Sequence, residues 1–163
     1  MSINIHVQHE DFDLAAEYTE LRSQTSKIGA VVTFTGLVRD FERLQDDPTS
    51  GRNLHRLTLQ HYPGMTERLI AEIVDEAVQR WPAFGVTVIH RVGCLRPNEQ
   101  IVFVGVTSEH RENAFKIAEF VMDYLKTKAT FWKQVDLNGQ QQWIQPKQSD
   151  TEAAAKWTED SDE

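Results

Sequence analysis

Residues 101–106 read Ile-Val-Phe-Val-Gly-Val, apolar on both sides of the two-residue alternation of a strand. Such a strand has no face to give to water, so it belongs at the centre of a sheet covered on both sides. The flanking segments supply the rest. Residues 2–7 alternate Ile3, Ile5 and Val7, and residues 29–36, G-A-V-V-T-F-T-G, read as a buried strand from their β-branched content. Residues 54–61 form a strand with Leu57 and Leu59 on one face, and residues 86–92 another. Asp11 or Asp13 caps a helix carrying Leu14, Ala15, Tyr18 and Leu21. A second helix, over 66–80, spaces Leu69, Ile70, Ile73, Val74 and Ala77 helically, and Pro82 and Gly85 stop it. The order β-α-β-β-α-β-β-α-β-β has more strands than helices and short connections. That predicts an α+β fold with helices packed on a mostly antiparallel sheet.

The stretch after the central strand carries the chemistry. From residue 107 onward, Ala114, Phe115, Ile117, Ala118, Val121, Met122 and Leu125 gather on one helical arc, with Glu112, Lys116, Glu119 and Asp123 opposite. Thr107 or Ser108 is the expected N-cap. His110 and Arg111 then put basic groups at the positive end of the helix dipole, an arrangement that suits a bound anion. Lys126 falls at the edge of the apolar arc, beside Phe115 and Met122. Beyond it, Asn138-Gly139 is a hairpin signal, and on the incoming strand Phe131, Lys133, Val135 and Leu137 share a face. Lysines on apolar surfaces commonly only snorkel. Two of them with a His-Arg pair in one short segment point to a site.

The rest of the composition narrows the class. With 163 residues, a catalytic domain over 1–146 and a polar, acidic tail over 147–163 are expected; within the tail, residues 152–157 read as a short helix before an acidic end, over 159–163, that frays. The net charge of −8 argues against nucleic acid as a partner, and no apolar run is long enough for a membrane span. There is no secretory signal, and the lone Cys94, expected to be packed, excludes a disulfide framework, so a reducing cytoplasm fits. The six histidines are scattered and no Cys/His spacing suggests a metal; no cofactor is expected either. Residues 40–53 read as a mobile surface loop.

Several long motifs resemble one family. They are G-A-V-V-T-F-T-G-x-V-R (29–39), L-T-L-x-H-Y-P-G-M-T-E (57–67), V-T-V-I-H-R-V-G (86–93), I-V-F-V-G-V-T-S-x-H-R (101–111) and M-D-Y-L-K-T-K-A-x-F-W-K (122–133). Together they are similar to the large, catalytic subunits of molybdopterin synthase. The resemblance implies an α/β-hammerhead fold and a homodimer. It also implies a small ubiquitin-like sulfur-carrier subunit at each end, making a heterotetramer. The implied reaction moves two sulfurs from the carrier's C-terminal thiocarboxylate, on a Gly-Gly tail, to cyclic pyranopterin monophosphate, forming the dithiolene of molybdopterin. Carried over by motif, Lys126 and Lys133 are catalytic. Arg39, His110 and Arg111 hold phosphate and pterin, with Leu37, Val38, Gln134 and Val135 also lining the substrate pocket. Leu37 stands where relatives often carry a basic residue and Gln134 where a charged one is common; the 40–53 loop is longer than usual, and Arg43 lies within it.

The residues support that chemistry on their own terms. A phosphate suits arginine forks and helix N-terminal amides. Sulfur transfer from a thiocarboxylate needs oxyanion stabilisation and a lysine that moves a proton or traps an acyl group, which burial beside apolar side chains favours. Two alternatives stand beside it: a non-catalytic, anion-binding regulatory module of ferredoxin-like topology, and a scaffold whose basic groups pair with its own carboxylates. The pair of lysines on apolar faces is what neither alternative requires.

Overall fold

The computed structural model describes residues 1–39, 54–129, 131–137, 140–144 and 148–159. The expected loop over 40–53 with Arg43, the Asn138-Gly139 turn and the acidic end 160–163 lie outside the described residues. The strands β1 (Ser2–Gln8), β2 (Ala30–Leu37), β3 (Leu54–His61), β4 (Gly85–Arg91), β5 (Gly93–Leu95), β6 (Gln100–Ser108), β7 (Phe131–Leu137) and β8 (Gln140–Ile144) alternate with four helices. These are α1 (Leu14–Arg22), α2 (Met65–Arg80), α3 (Arg111–Leu125) and α4 (Gln148–Glu159). The α+β class is as the alternation predicts, but the strands divide into two sheets instead of one. The first has order β1-β4-β6-β2 and the second β5-β3-β7-β8. Among the described residues only β1 and β4 run parallel.

The doubly apolar segment forms β6, inside the first sheet between β4 and β2. One of its faces presents Val102, Val104 and Val106 to α2, α3 and α4, together with Val86 and Val88 of β4. Phe103 on the other face joins Phe12, Leu21 and Ile89 under α1, whose N-cap Asp13 accepts from the amides of Ala15 and Ala16. Leu21 lies so close over Gly105 that a Cβ there would strike it. The second sheet buries Leu57, Leu59, Leu95 and Val135 against Val38 and Val92, and Val7, Ile101 and Phe131 connect this cluster to the first sheet.

Several expectations need correction. Residues 30–37 form an edge strand, half-buried and with Phe34 exposed, because β6 covers only one of its sides. Thr107 and Ser108 do not cap α3; they end β6, and Ser108 Oγ donates to the Pro82 carbonyl at 2.9 Å. His110 is the N-cap. The apolar arc of α3 is displaced: Phe120 and Tyr124 are buried while Phe115 is exposed, because α4 and Trp81 cover a side assumed to be solvent. Cys94 is exposed, on the short strand β5. The short helix expected over 152–157 is present and runs longer, over Gln148–Glu159. It forms α4, with Ala154 and Trp157 buried in the main core.

Candidate functional site

The site residues are delivered by three junctions. At the first, β2 ends across from Gln100, after an irregularity between Gly36 and Leu37. Leu37 is exposed and Val38 buried. Val38 is clamped in both directions: its N–H donates to the Glu99 carbonyl at 2.9 Å, and its carbonyl accepts from the Asn98 amide at 2.7 Å. The turn that holds it is built on Asn98 at φ 72, a left-handed conformation asparagine tolerates. Behind the turn lies buried Arg91, donating to the carbonyls of His9 and Gln100 and pairing with Glu99 at 3.7 Å. Arg39 leaves this clamp with its side chain exposed. Val38 therefore positions Arg39; its own side chain and N–H are already engaged.

The second junction is the β6–α3 turn. His110 makes no side-chain cap, which leaves the first-turn N–H groups of α3 without one, and Arg111 is the first helical residue. Both side chains are exposed, His110 lying 3.8 Å from Glu109. Exposed imidazole and guanidinium thus stand beside the free amides of a helix N-terminus, groups whose chemistry suits an anion.

The third junction is the passage from α3 to β7. Lys126 is the C-cap of α3 and is more than half exposed, not buried beside Phe115 and Met122 as the spacing suggested. Its ammonium is 3.6 Å from Asp150 at the start of α4, a partner that sequence reading missed because the short helix expected there began only at residue 152. Lys133 is half-buried in β7, in register with Leu59 on one side and Ile144 on the other. It shares its face with Phe131 and buried Val135, as the two-residue spacing predicts. Gln134 faces the other way, opposite Thr58 and Trp143, and donates to Gln141 at 3.3 Å. It is thus not brought to the side of the sheet that holds Lys133.

These junctions lie at two ends of the molecule. β6 has Gln100 at one end and Ser108 at the other, so over nine residues they are separated by roughly 26 Å. Arg39 follows the Gln100 end; His110 and Arg111 follow the Ser108 end. α3 runs back along the sheet for fifteen residues, about 22 Å, and returns Lys126 to the Gln100 end. Phe131 packs on Ile101's cluster and stacks on His90, the register partner of Val102, so Lys133 belongs to that end as well. One chain brings Arg39, Lys126 and Lys133 to one end and leaves His110 and Arg111 at the other.

Two sheets with helices packed on one of them define an α+β protein of the hammerhead type, with an arginine clamp and two lysines at a helix–strand passage. Residues 7–128 match the family model described as MoaE protein, and the chain belongs to that family. It is 49% identical to the molybdopterin synthase catalytic subunit of Escherichia coli K12 over 94% of this chain and 97% of the relative. Among solved structures, molybdopterin cofactor biosynthesis protein E from Burkholderia multivorans superposes with a TM-score of 0.79 at 43% identity, covering 97% of this chain and 98% of that one. The fold extends to a Helicobacter pylori chain at 16% identity and TM-score 0.65, covering 88% and 90%; that structure is a protein–protein complex of subunits 1 and 2 of molybdopterin-converting factor. No helix among the described residues is long and apolar enough to cross a membrane.

Proposed function

We propose that this chain is the catalytic subunit of a molybdopterin synthase, a sulfurtransferase acting in the cytoplasm on cyclic pyranopterin monophosphate. The observation that carries the reading is Lys133, half-buried among Phe131, Leu59 and Val135 at the end of the molecule that also receives Lys126 and Arg39. A binding module has no use for a lysine on the strand face that also buries Val135. Membership of the family supplies the reaction. Each transfer replaces a carbon–oxygen bond of the pterin with a carbon–sulfur bond, and the acyl–sulfur bond of the carrier with an acyl–oxygen bond, so that the carrier leaves as a carboxylate. Lys133 and Lys126 would move the protons or take up the acyl group, and Arg39 would hold anionic oxygens in its fork. The donor is a small ubiquitin-like carrier whose Gly-Gly tail passes close to backbone because it has no Cβ.

The distance between the two ends favours a homodimer in which each site is shared. Across roughly 26 Å of β6, His110 and Arg111 cannot serve the phosphate held by Arg39 of the same chain. A second copy brings its own corner to the first. Phe34 on the open edge strand and Phe115 on α3 are exposed, apolar surface of the kind an interface covers. Two carriers on such a dimer make a heterotetramer. We take the catalytic unit to be residues 1–146 together with α4, since Asp150 meets Lys126 directly.

The test combines the protein with a thiocarboxylated carrier and the pterin precursor and follows dithiolene formation. Turnover is expected. Binding of both without dithiolene would leave the non-catalytic, anion-binding module as the reading.

A further inference from the structure

We propose that His90 is a positioning residue that fixes the segment carrying both lysines, by clamping Phe131 between them. The inference rests on the catalytic reading above. His90 lies on β4 in the first sheet, and Phe131 opens β7 in the second. Their rings stack nearly parallel, with centroids 3.8 Å apart and planes 19° from each other. The imidazole is not free to turn. Its Nδ1 lies 2.8 Å from the Arg91 carbonyl, which can only accept, so Nδ1 carries the proton and the ring plane is set by that bond. Arg91 is itself fixed by the carbonyls of His9 and Gln100. The chain of support therefore runs from the rigid first sheet through Arg91 and His90 to Phe131.

Phe131 is well placed to pass that order on. It lies five residues after Lys126 and two before Lys133, and its N–H bonds the Ala129 carbonyl at 3.0 Å in the tight passage out of α3. On β3 its register partner is His61, whose Nε2 approaches Glu67 at 3.5 Å. A shift of Phe131 would turn Lys133 on its strand and change the reach of Lys126 together. An aliphatic side chain fills the same volume without orienting a ring. The imidazole adds a direction, and burial keeps it neutral by pushing its pKa down to about 4.

The experiment uses the full chain with thiocarboxylated carrier and precursor. His90→Leu is expected to lower kcat by about 10- to 100-fold, the scale of a displacement near 1 Å, with KM for both substrates unchanged within about twofold. His90→Phe, which keeps a ring against Phe131, is expected to recover most of the rate. Fluorine NMR of 5-fluorotryptophan protein reads the same effect without turnover. Trp132, edge-on to Tyr62 at 4.8 Å, should shift in His90→Leu and stay near its position in His90→Phe. If the leucine variant does not fold, His90→Gln, with a donor for the Arg91 carbonyl but no ring, is expected to show the same loss of kcat at fixed KM. Unchanged kcat in a folded His90→Leu or His90→Gln would overturn the proposal, as would a loss that His90→Phe fails to rescue. An inactive wild type with the Trp132 shifts as expected would instead count against the catalytic reading and leave the clamp standing.

Discussion

A lysine set mid-strand, on the face that carries Phe131 and buried Val135, has few rotamers that keep both its stem packed and its ammonium solvated, whereas Lys126, at a helix C-cap, is more than half exposed beside Asp150. Lys133→Arg should therefore lose most turnover, at least about 10²-fold, since arginine keeps the charge but does not deprotonate. Precursor binding by calorimetry should persist; near-normal rates would reduce Lys133 to a fixed charge. The contrast between the lysines was half legible in the sequence. Period-two spacing placed Lys133 on its apolar face, because strand geometry is strict. Lys126 was misplaced because the arc was drawn as though α3 had one covered side, and a cap residue no longer follows helical spacing. His90 makes a second prediction at this scale. Its folded pKa of about 4 is depressed, chiefly by burial, from 6.5, so the unfolded chain binds the proton first as pH falls. Stability from this group is complete above pH 6.5 and declines through the window down to about 4, by roughly 3 kcal/mol in all. Urea midpoints of wild type and His90→Phe between pH 7 and 4 should converge on acidification; parallel curves would show that His90 titrates normally.

At the scale of elements, α4 is the helix the sequence showed only in part, as a short piece over 152–157. Its composition is polar, and the two residues that anchor it, Ala154 and Trp157, sit among charges that read as solvated. What docks it is tertiary. Trp157 lies edge-on to Trp81 and Phe120, its Nε1 donates to Asp123 at 2.7 Å, and its carbonyl accepts from Arg80 at 2.9 Å. Lys156 adds hydrogen bonds to Glu119 and Asp123 that hold its ammonium pKa above the usual value. None of these partners is within thirty residues in sequence, which is why local pattern could not show them. The edge character of β2 was hidden for the same reason: β-branched residues announce a strand, but only pairing says on how many sides it is covered. Trp157→Ala should cost about 3–5 kcal/mol by chemical denaturation followed by circular dichroism, the range for emptying a packed aromatic site. Trp157→Phe, which keeps most of the packing and gives up the bond to Asp123, should cost closer to about 1 kcal/mol. A loss below about 1 kcal/mol for the alanine variant would mean that α4 is only loosely held.

For the whole molecule, motif and topology disagree in an instructive way. Read as motifs, Arg39, His110, Arg111, Lys126 and Lys133 make one site; as a folded chain, β6 holds the His-Arg pair roughly 26 Å from the rest. Sequence can show that residues serve one chemistry but not that they serve it in one subunit, because symmetry is not written along the chain. Complementation decides between the arrangements. Let one protomer carry Lys133→Ala and another Arg111→Ala, each pure homodimer being inactive or nearly so. If a site takes its lysine from one copy and its anion corner from the other, the mixed dimer has one doubly damaged site and one fully intact site. Free exchange of equal amounts makes half the dimers mixed, so about a quarter of the sites recover. If all residues act within one chain, every site in the mixed dimer still has one lesion and nothing recovers. Unfolding and refolding the two variants together, then assaying dithiolene formation, should give about a quarter of wild-type activity, against the near-zero rates of the variants refolded separately. Equal residual rates in the mixture and in the separate samples would mean that Arg111 and Lys133 act within one chain, and would overturn the shared site.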